Sequence, residues 1–328
     1  MSEKYYYAVA RTAEKENTLL DAQKLEQLLA APTAQAALRL LSGTVYAESA
    51  EQLDTPSAFE KMLEAQSRET FDYLREVCPQ PQLARLYLIA YDVANLKVLL
   101  RQRFLRTDLS HLLSELGTVS GRELGEKLDA GDADCLEPEL RAVVGQADEL
   151  YAKDGEISVV DFALDRAQFE AQLRLAQEGR SKFLTEWVRI RIDLANLRDF
   201  LRTREGGKQA FYPCFLNGGT LDIDFFSDTQ ASGEATLPEK LELTRYGVLA
   251  PCVEQALATG EMTALEKACD DFVTAYIREG GGIAFGPERL AAYVTARQTE
   301  IAALRMILVG KINSIPTEEI RGRLRATL

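Results

Sequence analysis

The residues that could act in acid–base or nucleophilic catalysis are few and scattered. The chain has one histidine, His111, which lies in the segment DLSHLLSELG beside two leucines. Catalysis by a Ser/His/Asp or Cys/His group needs further polar side chains arranged around the base, and no such signature surrounds this histidine. We therefore expect His111 to be packed or exposed on a helix and to have no catalytic role.

Several segments contain part of a ligand-binding pattern. GGGIAFG at 280–286 is rich in glycine but lacks the GxxxxGK[ST] and GxGxxG patterns of phosphate-binding loops. CDDFVTAY at 269–276 has two adjacent acids, Asp270 and Asp271, without the third acid of a DDxxD metal motif. One histidine cannot supply the paired Glu-x-x-His pattern of metal sites in helical bundles. The sequence predicts no catalytic residue, no metal site and no cofactor.

Charge and cysteine content narrow the class of protein. The 328 residues have a net charge of −13, which would repel nucleic acids and anionic lipids as main partners. Five scattered cysteines without a CxxC pattern are typical of reduced thiols in a cytosolic protein. The first residues lack the apolar core of a secretory signal, and no apolar run reaches the ~18 residues that span a bilayer. Any membrane association is therefore expected to go through a protein partner.

One helical segment occurs three times. YDVANLKVLLR at 91–101 is followed by IDLANLRDFLR at 192–202 and, less closely, by TEIAALRMILVGK at 299–311. The first two copies share an Asp, an Ala, an Asn, two Leu and an Arg, whereas the third has Glu for the Asp and Ala303 for the Asn. The residues that define the repeat are Asp92, Asn95, Leu96, Arg101, Asp193, Asn196, Leu197, Arg202, Glu300, Leu304 and Arg305.

Apolar residues in each copy follow a helical period. They recur at steps of three and four in the first two copies, which predicts one buried stripe on a helix of about six turns. In the third copy Arg297 is the one residue of the stripe that does not fit. The three stripes are Leu86, Ile89, Val93, Leu96 and Leu100; Phe183, Trp187, Ile190, Leu194, Leu197 and Leu201; and Leu290, Val294, Ile301, Leu304 and Leu308.

A second marker accompanies the first. FEK at 59–61, LDR at 164–166 and LEK at 265–267 each lie about thirty residues before one of the repeated helices. Two markers at a roughly constant separation indicate an internal repeat. Because alternating, strand-like patterns are nearly absent, we predict an all-α protein of three helical repeats. Their predicted boundaries are 1–110, 111–215 and 216–328.

The repeated Asp and Asn side chains have two possible roles. They could face a binding partner, or they could form hydrogen bonds with backbone groups of adjacent loops and so determine how each domain packs. We favour the structural role, because buried polar groups need specific partners and therefore define geometry.

The same residues resemble a known family. FGPERLAAYVTARQTEIAALRMILVGKINSIPTEEIRGRL at 285–324 resembles the C-terminal end of the family of V-type ATPase C subunits, the prokaryotic counterparts of the d subunit of eukaryotic vacuolar ATPases. The two D-x-x-N-L helices and LLSGTVYAE at 40–48 are similar to other recurrent segments of that family. The resemblance covers essentially the whole chain, and its final forty residues are the most specific part.

The resemblance implies an all-helical funnel of three similar domains around a pseudo-threefold axis. It also implies a non-catalytic protein on the cytoplasmic face of the membrane, between a rotor ring of proteolipid subunits and a central shaft made of the D and F subunits. A protein in this position couples ATP hydrolysis or synthesis to transport of H⁺ or Na⁺. A generic helical scaffold or adaptor and a carboxylate-dependent bundle hydrolase are the alternatives, and the C-terminal signature favours neither.

Overall fold

The computed structural model describes residues 2–325, apart from the side chains of Ser2, Glu3 and Asp154. No strand occurs between residues 2 and 325, so the predicted all-α class is confirmed. The first nine α-helices are α1 Tyr6–Glu16, α2 Ala22–Ala30, α3 Ala34–Leu40, α4 Ala47–Glu51, α5 Phe59–Val77, α6 Pro81–Leu105, α7 Gly121–Asp129, α8 Pro138–Asp154 and α9 Ile157–Glu178. The remaining eight are α10 Lys182–Arg202, α11 Gly207–Phe211, α12 Ile223–Ser232, α13 Leu237–Glu242, α14 Ala250–Thr259, α15 Thr263–Glu279, α16 Pro287–Ile312 and α17 Thr317–Arg323.

Local sequence explains where several helices begin and end. The side chains of Asp21, Ser120 and Asp222 accept a hydrogen bond from the backbone N–H three residues later, and each thereby caps the N-terminus of its helix. Pro287 occupies the first position of α16, where its missing N–H costs nothing. Gly260 ends α14 with a φ of 78°, a left-handed conformation that glycine adopts without strain.

The chain divides into two compact units. The first unit combines both ends of the chain, residues 1–81 and 270–328, and the second contains residues 82–269. In the first unit, apolar side chains of α16 pack with those of the N-terminal helices in one core. That core includes Leu28, Leu29, Leu41, Met62, Leu63, Ile301, Leu304, Ile307 and Leu308.

In the second unit, α6 and α10 pack their apolar side chains against different neighbours. Val93, Leu96 and Leu100 of α6 pack with aliphatic residues of α7, α8 and α9. On α10, Phe200 instead packs against Phe211 and Phe226, with ring centroids 5.2 Å apart in both pairs. The division into three domains at 1–110, 111–215 and 216–328 stays a prediction.

The three repeated helices correspond to α6, α10 and α16. Every residue of the predicted stripes is buried except Phe183, which is partly exposed. Arg297, which breaks the stripe of α16, is also fully buried. A buried guanidinium needs compensating polar or charged partners, so Arg297 indicates a polar site inside the first unit.

Candidate functional site

Each long helix carries one acidic residue in the interior of its unit. Asp92 on α6, Asp193 on α10 and Glu300 on α16 are exposed by 1%, 0% and 3% of their surface. Taking a carboxylate out of water is costly unless hydrogen bonds or an opposite charge replace the lost hydration. Each of these three carboxylates therefore needs polar partners inside its own unit.

Asp193 is held by donors from two other segments. Its Oδ1 accepts hydrogen bonds from the backbone N–H groups of Thr220 and Leu221, both at 2.8 Å. Its Oδ2 accepts from the hydroxyls of Thr220 and Tyr246, both at 2.6 Å. Four donors replace the hydration shell, and no cation from the described residues forms an ion pair with Asp193. Burial and the nearby Asp193 carboxylate raise the pKa of Tyr246, so this hydroxyl keeps the proton it donates.

Asp92 repeats part of this arrangement. It accepts hydrogen bonds from the backbone N–H of Thr118 at 2.7 Å and from the Thr118 hydroxyl at 2.6 Å. A glycine precedes the threonine in both sites. A Cβ added to Gly117 would lie 2.6 Å from Asp92 Oδ1, and a Cβ added to Gly219 would lie 2.1 Å from Asp193 Oδ1. Gly117 also has a φ of 141°, which other residues rarely adopt. The Gly-Thr pair thus lets the backbone approach the buried acid.

Glu300 uses a different set of partners. It accepts hydrogen bonds from the backbone N–H of Leu20, from the Tyr46 hydroxyl at 2.6 Å and from the Arg297 guanidinium. Arg297 also donates to the hydroxyl of Thr18 at 2.6 Å. Burial would lower the pKa of Arg297, but Glu300 and two tyrosines outweigh this effect and raise it. The residue that breaks the apolar stripe is therefore the cation of a buried ion pair.

The two tyrosines that reach an acid occupy the same local turn. The pattern L-x-x-T-x-Y occurs at 41–46 and again at 241–246. In each turn the threonine hydroxyl donates to the leucine carbonyl, at 2.6 and 2.7 Å, and accepts from the tyrosine N–H, at 3.2 and 3.0 Å. This turn directs the Tyr46 hydroxyl to Glu300 and the Tyr246 hydroxyl to Asp193.

The two repeated asparagines bind the loops that follow their helices. Asn95 accepts a hydrogen bond from the Ser114 N–H at 2.8 Å and donates to the carbonyls of Ser114 and Leu116, at 3.2 and 3.1 Å. Asn196 accepts from the Leu216 N–H and donates to the Leu216 carbonyl, both at 2.8 Å. These are the backbone contacts that the structural role requires, while a role in binding a partner stays a hypothesis.

We expect Asn95→Ala to lower the free energy of unfolding by about 1–3 kcal/mol, because it leaves buried backbone groups of the 114–116 loop without partners. Thermal or urea denaturation of the isolated protein measures the effect. Asn217→Ala is the matched control, since Asn217 is exposed in the same unit. Unchanged stability together with lost partner binding would favour the alternative role for Asn95.

The basic residues of the repeats contact the second marker. Lys97 pairs with Asp165 of LDR at 2.6 Å, and Arg202 pairs with Glu266 of LEK at 2.5 Å. Arg305 donates to Glu60 of FEK at 2.8 Å. Arg101 pairs with Asp161, one turn before LDR, at 2.5 Å. Each pair has at least one partner that is 41–52% exposed, so solvent screens the attraction and each contributes about 0–1 kcal/mol.

The contacts show which copies associate. The helix of the first copy contacts the LDR marker of the second, and the helix of the second contacts the LEK marker of the third. The helix of the third copy contacts FEK, near the start of the chain. The apolar repeat residues Leu96, Leu197 and Leu304 are buried in their respective units. Each long helix therefore forms an ion pair with the marker of the next copy, and the third forms one with the marker of the first.

Sequence reasoning missed the donors around the acids. Signals for them exist: GTVS at 117–120 and GTLD at 219–222 follow the repeated helices at similar distances, and the L-x-x-T-x-Y turn occurs twice. In the sequence Arg297 is only a misfit within an apolar stripe. Its role depends on Glu300 and on Thr18, a residue 279 positions away in the chain.

The other candidate residues have different surroundings. His111 is exposed in the short 3₁₀ turn Ser110–Leu112, and Asp270 forms an ion pair with Arg325 at 2.8 Å. All five cysteines are free thiols. No group of three His, Cys, Asp or Glu residues within 2–325 is placed to hold a metal ion. In the same range no helix combines the length and the apolar character needed to cross a membrane.

Comparison with known proteins identifies the family. A model of the ATP synthase (C/AC39) subunit family matches residues 8–323. The chain belongs to this family. Members with similar sequences include the C subunit of the V-type sodium ATPase of Enterococcus hirae, which is 24% identical over 95% of both chains. The C subunit of the A-type ATP synthase of Methanocaldococcus jannaschii is 26% identical over 98% of this chain and 86% of its own. The C subunit of the V-type ATP synthase of Deinococcus radiodurans is 25% identical, with 99% and 92% covered.

Membership in the C/AC39 family confirms the resemblance found in the sequence. The family match extends from α1 to the end of α17 and so includes all three buried acids and both tyrosine turns. Hydrogen bonds occupy both carboxylate oxygens in each of the three sites. Carboxylates bound in this way position loops and long helices within the family fold.

Proposed function

We propose that this protein is a non-catalytic central-stalk subunit of a V/A-type ATPase or ATP synthase. It links the central shaft, made of the D and F subunits, to the proteolipid ring of the membrane rotor, on the cytoplasmic face. In this position it couples ATP hydrolysis or synthesis to the movement of H⁺ or Na⁺. The observation that supports the proposal best is the family match over residues 8–323, with relatives named as the C subunits of such enzymes.

The buried polar sites agree with a mechanical role. A spacer that transmits torque has to resist deformation between the parts that it joins. Satisfied buried hydrogen-bond networks restrict packing to one arrangement, and Asp193 alone connects α10 with two distant segments. We include in the proposal three domains, at 1–110, 111–215 and 216–328, around a pseudo-threefold axis.

Isolation of the protein with its partners tests the assignment. A tagged full-length chain is solubilised from membranes in mild detergent, and the co-purifying proteins are identified by mass spectrometry. We expect the D and F subunits, the ring proteolipid and the catalytic subunits, all absent from an untagged control. Recovery of unrelated soluble proteins without any rotary subunit would contradict the proposal and support an adaptor role.

A second measurement tests the non-catalytic role. In membranes from cells that lack this chain, we expect the catalytic head to retain ATP hydrolysis while ATP-driven ion transport is lost. Re-expression of the wild-type chain should restore transport. Loss of hydrolysis by the isolated catalytic head itself, reversed by adding the chain, would contradict a passive linking role.

A further inference from the structure

One arginine on α10 has an unusual environment. The Arg191 guanidinium lies over the ring of Trp187, with Cζ 4.7 Å from the ring centroid, and over Phe169 at 5.4 Å. Its Nη1 donates to the side-chain oxygen of Gln172 at 3.2 Å, and Gln172 is in turn bound to the Leu86 carbonyl at 2.8 Å. Stacking and one hydrogen bond therefore hold the guanidinium in a defined orientation.

This guanidinium lacks an opposite charge. No acidic side chain in the part of the chain that the structure describes pairs with Arg191, although it is half-buried. Burial lowers the pKa of Arg191 to about 10, and Arg198 adds to the lowering. The indole N–H of Trp187 is buried as well and has no acceptor among the described residues. Two neighbouring groups that can only donate hydrogen bonds therefore have unused donors.

The pair is specific to the second copy of the repeat. With the offsets of 101 and 107 residues that relate the copies, Ala90 and Gln298 correspond to Arg191, while Leu86 and Val294 correspond to Trp187. The shared packing of the long helices therefore does not require these side chains. A position that departs from the repeat is free to serve a contact that only one copy makes.

The geometry points to a carboxylate-binding site at Arg191, and we propose that it receives an acidic side chain of a neighbouring subunit in the assembled complex. Arg191 is partly exposed, and a planar guanidinium in a fixed orientation matches the two oxygens of a carboxylate. A free phosphate carries more charge than one guanidinium offsets, whereas a side-chain carboxylate carries a single negative charge. This inference rests on the proposed function, because the acid comes from a partner in that complex.

The chain contains its own reporter for this site. Trp187 is the single tryptophan of the sequence, so the intrinsic tryptophan fluorescence arises at the ring that stacks on Arg191. We would titrate the isolated protein with a ten-residue glutamate peptide and, separately, with inorganic phosphate. A saturable change with the peptide is expected in the wild type, and its loss is expected in Arg191→Gln. Arg122→Gln, an exposed site in the same unit, makes the same charge change and should behave as wild type.

The assembled complex provides the second test. When tagged variants are isolated from membranes and washed with increasing salt, Arg191→Gln should retain about tenfold less of the partner subunits than Arg122→Gln. Arg191→Lys preserves the charge without the planar fork and should fall between them. If the wild type recovers no rotary subunits, the proposed function fails, whereas the fluorescence titration still decides whether Arg191 binds carboxylates.

Three outcomes would overturn the inference. A response to phosphate without a response to the peptide would assign the site to a small free anion. Equal retention of partners by Arg191→Gln and Arg122→Gln would exclude a role in assembly. The third outcome is a melting temperature several degrees lower in Arg191→Gln, without any response of the wild type to the peptide. It would show that Arg191 only packs on the aromatic rings and stabilises the fold.

Discussion

Asp193→Ala should lower the free energy of unfolding by about 3–5 kcal/mol, the largest effect that we expect from a single substitution in the second unit. The substitution removes the acceptor for two backbone N–H groups and two hydroxyls, of which the Leu221 N–H and the Tyr246 hydroxyl donate in buried hydrogen bonds. Each buried donor that loses its partner costs about 1–3 kcal/mol, and partial relaxation reduces the sum. The segments around Thr220 and Tyr246 should loosen together.

Chemical denaturation of the isolated protein measures the free energy, and hydrogen exchange locates the loosened segments. Asp228→Ala is the control, since Asp228 is an exposed acid in the same unit and its loss should change stability by less than about 0.5 kcal/mol. Similar stability of Asp193→Ala and Asp228→Ala would show that the Asp193 hydrogen bonds contribute little. Faster exchange confined to α10 itself would contradict the link to Thr220 and Tyr246.

Arg297→Met should destabilise the first unit by about 3–5 kcal/mol. The guanidinium is fully buried, and its removal leaves the Glu300 carboxylate buried without a compensating charge. Methionine occupies a similar volume and fits the apolar stripe of α16, so the loss comes from electrostatics rather than from a cavity. Because Thr18 and Leu20 bind this pair, the N-terminal segment should detach more readily from α16.

A double substitution separates the charge effect from other causes. Arg297→Met combined with Glu300→Gln removes both charges and should recover more than about 1 kcal/mol of the loss, since residues in contact are not additive. Arg305→Met on the same helix is the control, because it removes an exposed partner of Glu60 and should cost no more than about 1 kcal/mol. The ion-pair explanation would be refuted if the double variant lost more unfolding free energy than the two single variants lose together.

The sequence predicted those features that depend on one helix alone, namely the position of the helix and its buried face. Steps of three and four residues predicted α6, α10 and α16, and nearly all of their stripe residues are buried. Burial on one side of a helix requires the same period whatever packs there. The C-terminal segment also indicated the family, which the match over residues 8–323 confirms.

The partners of the buried acids could not be obtained in this way. Arg297 does not fit a helical period, and its ion pair with Glu300 is recognisable only once Thr18 and Tyr46 are known to lie beside it. The FEK marker precedes the first repeated helix in the sequence. In the structure it contacts α16, at the other end of the chain.

By itself, then, the sequence determined the all-helical class, the positions of the long helices, their buried faces and the family. Only the tertiary structure decided which segments meet: Asp92 binds a threonine 26 residues away, whereas Glu300 binds a backbone N–H 280 residues away. The physical reason is that periodicity reports the environment of a helix averaged along its length. A hydrogen bond depends on the position of two particular atoms, which is fixed by the path of the whole chain between them.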